Sequence, residues 1–378
     1  MIFLDAASTT KPYKEVVETI TEVACNNWHN PSASYSVAHD AMMLIENVRS
    51  LVAQDINCKP DEIIFTSSAC ESNSLAILGV LNNNPGMHFY TTLLEHTSLN
   101  DIVNSLDNPV GYVSNDKCGY VNLHGLETAL VWNYTRGIQT LVSISYANSE
   151  LGVIQNIKPV AELVHKYGGF LHVDATQFFP WFNIDVQFLG IDLMSVSGQK
   201  FHGGRGAAFL YVKDGIDLKP IIYGSQENSL RGGTYNTAAI CGMGRALQLT
   251  REHDAGAKVM KLRNKLLDKL LKIDGTHVNG PSRQSLLKLP NIISLTIDGV
   301  NAETLVTMCD LMGVIIGKGS ACKSYEPKPS QTLMAIGLTE EQALNTIRIS
   351  LDEFNTEEEV NRAADIITQL VEQIRKNA

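Results

Sequence analysis

The sequence predicts an α/β protein, in which a large domain with a mostly parallel sheet is followed by a smaller α+β domain. Three observations support this prediction. From residue 16 to residue 254, short β-branched runs alternate with helical patterns, as a parallel sheet with helices on both faces requires. A leucine-rich helical repeat then leads out of this region, and shorter strand patterns follow it. The predicted domains are 15–255, which is the large one, and 1–14 with 256–378, which form the small one.

The large domain contains the strongest strand patterns. Apolar runs at 62–66, 169–173 and 193–196 are typical of buried strands. The repeat that follows the domain predicts a long helix, because its leucines recur at helical spacing. These leucines are Leu262, Leu266, Leu267, Leu270 and Leu271. With 378 residues, 44% of them hydrophobic, the chain can bury a large core without disulfide bonds.

The small domain is predicted to contain strands at 291–297, 314–316 and 346–351. Its last helix begins near Thr356, which forms a capping box with Glu359. The apolar positions of this helix lie on one face. They are Val360, Ala363, Ala364, Ile367, Val371 and Ile374.

Charge and cysteine content exclude several classes of protein. The 30 Lys and Arg against 40 Asp and Glu give a net charge of −10, without a long basic run, so we expect no direct nucleic-acid binding. The seven cysteines show no Cys-x-x-Cys or zinc-type spacing, which favours a reducing compartment. No export signal is visible and no apolar stretch approaches the about 20 residues that cross a bilayer. We therefore expect a cytoplasmic protein without a membrane span.

Two polar residues follow predicted strands and are candidates for chemistry. Asp174 ends the run Phe170-Leu-His-Val, and ligands of open α/β sheets bind at such strand ends. Its carboxylate could hold a protonated ring nitrogen, although a helix N-cap is the alternative. Lys200 follows the strand at 193–196, and partial burial would make its amine a nucleophile that forms Schiff bases. Its alternative is a solvated loop lysine.

Anion binding is predicted at the start of a helix. The strand at 62–66 runs through Ser67 and Ser68 into a helical pattern, whose free N–H groups and dipole attract phosphate. Ser197, beside Lys200, could donate to the same anion. The glycines at 203, 204 and 206 precede an apolar strand pattern instead of a helix, so they do not form a dinucleotide-binding loop.

Three further residues could act on a substrate. Cys322 lies between Lys318 and Lys323 in a loop rich in Gly, Ser and Pro, which favours a reactive thiolate over a buried, inert cysteine. His96 could lie over a flat cofactor and shuttle protons, although a capping or core histidine is the alternative. Arg348 takes the opposite strand face from its apolar neighbours, and either binds a carboxylate or lies on an exposed sheet face.

Taken together and in this order, the segments resemble the cysteine desulfurases, which belong to the class V aminotransferase group of fold-type I pyridoxal-phosphate (PLP) enzymes. The resemblance spans nearly the whole chain and implies a seven-stranded-type sheet in the large domain. It is carried by Phe3-Leu-Asp-Ala-Ala-Ser-Thr-Thr10, Asn30-Pro-Ser-Ala-Ser34, Glu95-His96, Asn148-Ser-Glu-Leu-Gly152, His172-Val-Asp-Ala-Thr-Gln177, Ser197-Gly-Gln-Lys200, Arg231-Gly-Gly-Thr234, Gly319-Ser-Ala-Cys322 and Ile347-Arg-Ile-Ser350.

The resemblance implies a role for each residue of the site. Lys200 forms the Schiff base with PLP, Asp174 pairs with the pyridinium nitrogen, and His96 stacks on the ring as an acid and base. The remaining cofactor contacts are implied for Asn148 and Gln177 at the ring oxygen, for Ala69, Cys70, Ser197 and Gln199 at the phosphate, and for Thr234 from a second subunit of a homodimer. Arg348, with Asn148, holds the substrate carboxylate.

The implied reaction removes sulfur from L-cysteine, releases L-alanine and leaves a persulfide on Cys322. A sulfur-acceptor protein in iron–sulfur cluster assembly or thiolation, or a small thiol, then takes the sulfur. Three positions depart from the usual pattern: Gln199 replaces a common histidine, Cys70 a common threonine, and Gly317-Lys318 two common serines. Because a thiol is a weaker donor than a hydroxyl, we expect looser cofactor binding, not its loss.

Three other interpretations compete with this one. A selenocysteine lyase or an aminotransferase-like enzyme would share the fold, although a transaminase does not need the thiol of Cys322. A scaffold or regulatory partner that binds PLP without catalysis is the alternative from another class, and the joint presence of the candidate residues argues against it. A nicotinamide-dependent dehydrogenase is disfavoured because no strand is followed by a Gly-x-Gly-x-x-Gly helix start.

Overall fold

The structure is a computed structural model that describes residues 1–319 and 329–377. Cys322, the predicted sulfur carrier, lies outside the described residues. The helices are α1 (Lys14–Asn26), α2 (Ser36–Ile56), α3 (Ala69–Asn83), α4 (Thr97–Val103), α5 (Leu123–Tyr134), α6 (Ile157–Lys166), α7 (Val186–Leu189), α8 (Thr237–His253), α9 (Gly256–Leu270), α10 (Ala302–Leu311), α11 (Gln331–Ala335), α12 (Glu340–Leu344) and α13 (Glu357–Asn377).

The strands are shorter than the helices. They are β1 (Ile2–Phe3), β2 (Ile63–Thr66), β3 (His88–Thr92), β4 (Val110–Val113), β5 (Thr140–Ser145), β6 (Phe170–Asp174), β7 (Leu193–Ser197), β8 (Ala208–Val212), β9 (Thr276–Val278), β10 (Ile292–Ile297), β11 (Val314–Ile315) and β12 (Thr346–Ser350). The predicted strand at 169–173 is displaced by one residue, because the Gly169 N–H closes the preceding helix by donating to the carbonyl of Val164 at 2.9 Å. Glu62 likewise belongs to a 3₁₀ turn instead of β2.

Within the described residues, seven strands form the main sheet in the order β2-β8-β7-β6-β5-β3-β4. The neighbours from β7 through β4 pair in parallel, and β8 runs antiparallel to both β2 and β7. This arrangement confirms the prediction of a mostly parallel sheet. Residues of β6 and β7 are buried nearly throughout, as strands covered on both faces require.

Helices cover both faces of this sheet, as predicted. On one face, the buried side chains of α1, α2, α6 and α8 pack on the sheet as one apolar cluster. On the other face, α3 and α4 pack against side chains of β2, β3, β7 and β8. The sheet is therefore held between two helical layers, and the strand ends form an edge where polar residues can meet.

A second sheet, with the order β12-β10-β9, is antiparallel and packs with α9, α10 and α13 in a separate apolar cluster. The N-terminal strand β1 joins this region by pairing with β11. The predicted capping box of the last helix is confirmed, because Glu359 N–H donates to Thr356 Oγ1 at 3.2 Å and Thr356 N–H to the Glu359 carboxylate at 3.0 Å. The division into 15–255 and the remainder stays a prediction.

The region between the two sheets contains a smaller apolar cluster that matters for the site. Leu94, Leu151 and Val153, from loops at the carboxyl edge of the main sheet, pack against Leu333 and Ile336. This contact brings residues 329–336 to the edge where β5, β6 and β7 end. Among residues 1–319 and 329–377, no helix combines the length and apolar character needed to cross a membrane.

Candidate active site

A cavity of about 440 Å³ lies at the carboxyl ends of β5, β6 and β7. Its wall contains most of the residues that the sequence predicted for the site. These are Ala69, Cys70, His96, Asn148, Asp174, Gln177, Ser197, Gln199, Lys200 and Arg348. Residues that are more than 270 positions apart in the chain are thus brought together. Thr234 is not part of this wall, and Cys322 lies outside the described residues.

Asp174 is the last residue of β6 and is only 6% exposed. Both oxygens of its carboxylate accept hydrogen bonds, one from Asn73 Nδ2 at 2.9 Å and the other from the Thr176 N–H at 3.0 Å. These two donors fix the orientation of the carboxylate at the cavity wall. A buried carboxylate held in this way is suited to a cationic N–H group.

Lys200 ends a 3₁₀ turn that follows β7 directly. Its amine donates to the backbone carbonyls of Ala7 and Ser8, at 2.8 and 2.5 Å. Burial, and after it the positive charge of Arg348, lower the pKa of this amine to about 8. The amine therefore becomes a free nucleophile at a much lower pH than an ordinary lysine.

The helix start predicted to bind phosphate forms the floor of the cavity. Ser68 caps α3, since its hydroxyl accepts from the Glu71 N–H at 3.3 Å. The N–H groups of Ala69 and Cys70 are in the first turn, where no intrahelical acceptor exists. Ser197, at the end of β7, also lines the cavity. These groups together form a neutral cradle for an anion.

Arg348 is buried on β12 and points toward the cavity. One terminal nitrogen donates to Asp5 Oδ1 at 2.7 Å, while the other lies 3.2 Å from the carbonyl of Ser149 and 3.4 Å from that of Gly319. Its Nε has no hydrogen-bond partner among the described residues. Asp5 therefore orients the guanidinium at the cavity wall. The local sequence pattern is equally compatible with an arginine on an exposed sheet face. The burial of Arg348 excludes that alternative.

Asn148 and Gln177, the two amides predicted to contact the ring oxygen, both form hydrogen bonds within the protein. Asn148 Nδ2 donates to the carbonyl of Leu94 at 2.7 Å, and its Oδ1 accepts from the N–H groups of Glu150 and Leu151. Gln177 Nε2 donates to the carbonyl of Ala7 at 2.9 Å. Asn148 therefore stabilises the turn after β5, and the contacts expected of both amides with a ring oxygen stay predictions.

Glu150 is a site residue to which sequence reasoning gave no role. Its side chain is 5% exposed, its carboxylate accepts from the Ser330 hydroxyl at 2.7 Å, and burial raises its pKa to about 7. A Cβ at Gly319, where φ is +84°, would meet this carboxylate at 2.4 Å. Glu150 thus lies against the described residues on both sides of 320–328. The acid at the end of Asn148-Ser-Glu150 is the sequence feature that could have indicated it.

Thr234 is exposed. Its segment is bound to the first turn of α3 by an ion pair. Arg231 donates to the Glu71 carboxylate at 2.7 Å. The turn before it is strained, since Glu227, Asn228 and Ser229 have φ values of 48°, 54° and 64°. The buried carboxylate of Glu227 holds this turn through an ion pair with Arg49 at 2.7 Å.

The donor set of the cavity fits PLP. It offers a carboxylate for a ring nitrogen, an amine of lowered pKa for an aldehyde, and free helical N–H groups for a phosphate. The hydroxyl of Thr176, which is buried in the cavity wall, has no partner among the described residues. Within the described part of the chain, no cluster of His, Cys, Asp and Glu side chains could hold a metal ion.

A mostly parallel sheet whose strand ends carry a lysine amine, a buried carboxylate and a helix start with free N–H groups is typical of the class of PLP-dependent α/β enzymes. The model of the family "Aminotransferase class-V" matches residues 2–363. The chain is 33% identical to cysteine desulfurase IscS 1 of Archaeoglobus fulgidus over 99% of its length and 98% of that protein. It is also 33% identical to cysteine desulfurase IscS of Methanosarcina thermophila, over 99% and 93%. This chain therefore belongs to the class-V aminotransferase family, in its cysteine desulfurase branch.

Solved structures agree with this assignment. A NifS-like protein superposes with a TM-score of 0.89 at 29% identity, covering 98% of this chain and 99% of that one. The NifS-like protein of Rickettsia africae gives 0.88 at 31%, covering 100% and 99%. SspA in complex with cysteine gives 0.80 at 30%, covering 94% and 100%. The predicted fold class and the resemblance are both confirmed, and the enzymes of this family depend on PLP.

Proposed function

We propose that this chain is a PLP-dependent cysteine desulfurase, which converts L-cysteine to L-alanine and leaves the sulfur as a persulfide on Cys322. One observation carries the proposal: the cavity groups Lys200, Asp174 and Arg348 at the strand ends. Gly319 and Pro329, the described residues on either side of 320–328, line the same cavity. The described residues that flank the segment with Cys322 therefore lie at the cavity wall.

The cofactor would be held by side chains at the strand ends and by backbone N–H groups at the start of α3. Lys200 would bind the aldehyde carbon, and Asp174 would face the ring nitrogen. When bound, PLP supplies an electron-accepting ring that stabilises negative charge at the substrate Cα. The other proposed contacts are those of His96 with the ring, of Asn148 and Gln177 with the ring oxygen, and of Ala69, Cys70, Ser197 and Gln199 with the phosphate.

Lys200 and His96 would move protons during the reaction. The freed Lys200 amine, whose pKa is lowered to about 8 chiefly by burial, can accept the Cα proton near neutral pH. His96 is exposed at the cavity, and partial loss of hydration, together with the nearby charges of Lys200 and Arg348, lowers its pKa below the usual value. Its neutral form would therefore dominate at pH 7, where it can donate and accept a proton.

The sulfur-transfer step balances without an added oxidant. The Cys322 thiolate would attack the substrate sulfur, so that an S–S bond forms while the Cβ–S bond of the substrate breaks. Proton return to the carbon atoms then yields alanine, and the sulfur stays on Cys322 as a persulfide. An acceptor protein, in iron–sulfur cluster assembly or thiolation, or a small thiol would remove that sulfur. Selenocysteine is the alternative substrate for the same step.

We infer that the active form is a homodimer, in which Thr234 contacts the cofactor phosphate of the partner subunit. Thr234 is exposed and does not line the cavity of its own chain. Tyr223, whose exposed fraction is 84%, lies next to this segment, because Ile222 pairs with Arg231. The large exposed aromatic side chain of Tyr223, beside the segment that contains Thr234, favours coverage of this surface by a second subunit.

The cysteines support a reducing compartment, and we propose the cytoplasm. All cysteines of the described residues are free: Cys25, Cys58, Cys70, Cys118, Cys241 and Cys309. Free thiols persist where the compartment keeps cysteine reduced. Such a compartment would also keep the Cys322 thiol available between turnovers.

The test of this function is a product assay. Purified protein, loaded with PLP, is mixed with L-cysteine and a reducing thiol, and alanine and sulfide are measured. We expect equal amounts of both products. If PLP binds but neither product forms, the non-catalytic scaffold becomes the better interpretation, and formation of pyruvate or of a keto acid would instead indicate a different reaction of the family.

Removal of the Arg348 side chain should weaken substrate binding. We expect Arg348→Ala to raise KM for L-cysteine about 10- to 100-fold, the effect of losing a charged hydrogen bond to a carboxylate. Steady-state kinetics of alanine formation measures it. Arg136→Ala is the matched control, since Arg136 is exposed just after α5 and does not line the cavity. An unchanged KM in Arg348→Ala would exclude the proposed carboxylate contact.

Cys70 offers a test of the phosphate cradle. A hydroxyl donates a stronger hydrogen bond than a thiol, so Cys70→Thr should tighten PLP binding about fivefold, which corresponds to about 1 kcal/mol. Equilibrium titration of the cofactor-free protein with PLP, followed by absorbance, gives the two dissociation constants. Cys25→Thr, an exposed cysteine on α1, is the control. Equal affinities for Cys70→Thr and wild type would show that the side chain of residue 70 makes no phosphate contact.

A further inference from the structure

A chain of hydrogen bonds connects Asp174 to His96 through two side chains, Asn73 and Ser98. Asn73 lies on α3 with no exposed surface. Its Nδ2 is 2.9 Å from Asp174 Oδ2 and 3.3 Å from Ser98 Oγ. Ser98 Oγ is in turn 2.9 Å from His96 Nδ1. The two residues proposed to contact the cofactor ring are thus joined by protein alone.

The direction of this chain follows from donor chemistry. The amide NH₂ of Asn73 can only donate, so one hydrogen goes to the Asp174 carboxylate and the other to Ser98 Oγ. Exchanging the amide oxygen and nitrogen would place two acceptors 2.9 Å apart, which excludes the opposite assignment. Ser98 Oγ accepts from Asn73, which leaves its own hydrogen available for His96 Nδ1.

A second donor points at the same nitrogen. The backbone N–H of Ser98 lies 3.1 Å from His96 Nδ1, because His96 is the N-cap of α4. With two donors facing it, Nδ1 is kept without a proton. The neutral ring then carries its hydrogen on Nε2, the nitrogen that is free to face the cavity.

We propose that Asn73 and Ser98 are positioning residues, which hold Asp174 as an oriented carboxylate and His96 as the neutral tautomer with its proton on Nε2. This inference rests on the proposed function, since it concerns the residues that function assigns to the cofactor ring. Protonation of Nδ1 would turn an acceptor into a donor that faces the Ser98 N–H. The network therefore disfavours the imidazolium form.

Several other charged groups act on His96, and the proposed variants leave all of them in place. Asp174 on β6 and Asp101 on α4 favour its protonated form, while Lys200 and Arg348 favour the neutral form. The neighbouring Glu95 carboxylate is occupied by Thr92 and Ser145, at 2.6 to 2.8 Å. A change of pKa on removing the Ser98 hydroxyl thus reports on that hydroxyl.

The first test uses cofactor-free protein and ¹⁵N-labelled histidine, with His96 assigned by comparison with His96→Gln. In wild type, we expect the imidazole shifts of a neutral ring protonated at Nε2. Ser98→Ala should raise the pKa of His96 by about 0.5 to 1 unit, as expected for one neutral hydrogen bond. Ser98→Thr should restore the wild-type value, and Ser105→Ala, which changes a serine just after the same helix, should have no effect.

A second readout separates positioning from folding. The acidic limb of kcat/KM against pH should move upward in Ser98→Ala and return in Ser98→Thr. Asn73→Ala should shift it in the same direction; because Asn73 is fully buried, the partly exposed Ser98 is the decisive position. A proton on Nδ1 in wild type, or identical titrations of wild type and Ser98→Ala, would overturn the inference. An inactive wild type with the expected NMR titration would instead contradict the proposed function alone.

Discussion

Replacement of Cys322 by alanine should abolish sulfur transfer and leave cofactor binding intact. The thiolate is the proposed nucleophile, and loss of a nucleophile removes at least about a thousandfold of turnover. Cys322 is not among the proposed PLP contacts, so the visible absorbance of the bound cofactor should persist. Parallel assays of sulfide and alanine, with absorbance recorded on the same sample, measure both expectations.

The matched control is Cys25→Ala, because Cys25 is exposed on α1 and does not line the cavity. It should retain wild-type turnover. Alkylation followed by mass spectrometry should also find a persulfide on the peptide with Cys322 after exposure to L-cysteine, and none on the peptide with Cys25. Sulfide release by Cys322→Ala at the wild-type rate would show that the sulfur passes directly to the acceptor thiol.

Replacement of Lys200 by alanine should have an effect of similar size, for a different reason. Without the amine, PLP has no covalent attachment and the Cα proton loses its proposed acceptor, so turnover should fall at least about a thousandfold. Treatment of wild type with borohydride should fix the cofactor to the peptide that contains Lys200. The same treatment of Lys200→Ala should leave no covalently bound PLP on the protein after gel filtration under denaturing conditions.

Lys288 is an internal control for this experiment. Burial lowers its pKa to about 8 as well, but its amine donates to the carbonyl of Pro281 at 2.8 Å and does not line the cavity. Reactivity that depended only on a low pKa would label both lysines. We expect label on Lys200 alone, because the proposed anion cradle and Asp174 would bind the cofactor next to it. Equal labelling of Lys288 would contradict the proposed site.

The same amine predicts the pH dependence of cofactor attachment. Only the neutral amine attacks an aldehyde, so the rate should rise with pH and level off above about 8, the lowered pKa of Lys200. An ordinary lysine would show a rate that still increases toward pH 10. Stopped-flow absorbance after mixing with PLP measures the profile. Arg348→Ala should move the midpoint upward, since the Arg348 charge lowers this pKa.

Much of the site could be predicted from local sequence. Asp174 and Lys200 each follow an apolar run, and parallel strands place their carboxyl ends along one edge, so proximity followed from the fold class. The helix start at Ala69 and the capping box at Thr356 depend on residues close in sequence, and both were identified. The predicted helix with Leu271 was one residue too long, because Leu271 is the C-cap and 42% exposed.

Other contacts of the site depend on the tertiary structure. Arg348 and Asp5 are 343 positions apart and meet only because β1 joins the region of β12. The local sequence does not identify Asn73, because it is one polar residue within an apolar helical pattern. Burial of an amide without a partner is unfavourable, so its buried position indicates a contact. Its partners Asp174 and Ser98 come from a strand and from another helix, which no local pattern relates to it.

The sequence by itself thus determined the fold class, the strand ends that carry an acid and a lysine, the helix start at Ala69, and the family. These features depend on periodicity and on short motifs, which are local. Only the tertiary structure decided that Arg348 is oriented by Asp5, that Glu150 lies against Gly319 and Ser330, and that the Asp174 carboxylate is linked to His96. Hydrogen bonds of this kind need donor and acceptor within about 3 Å, a condition set by the packing of whole elements.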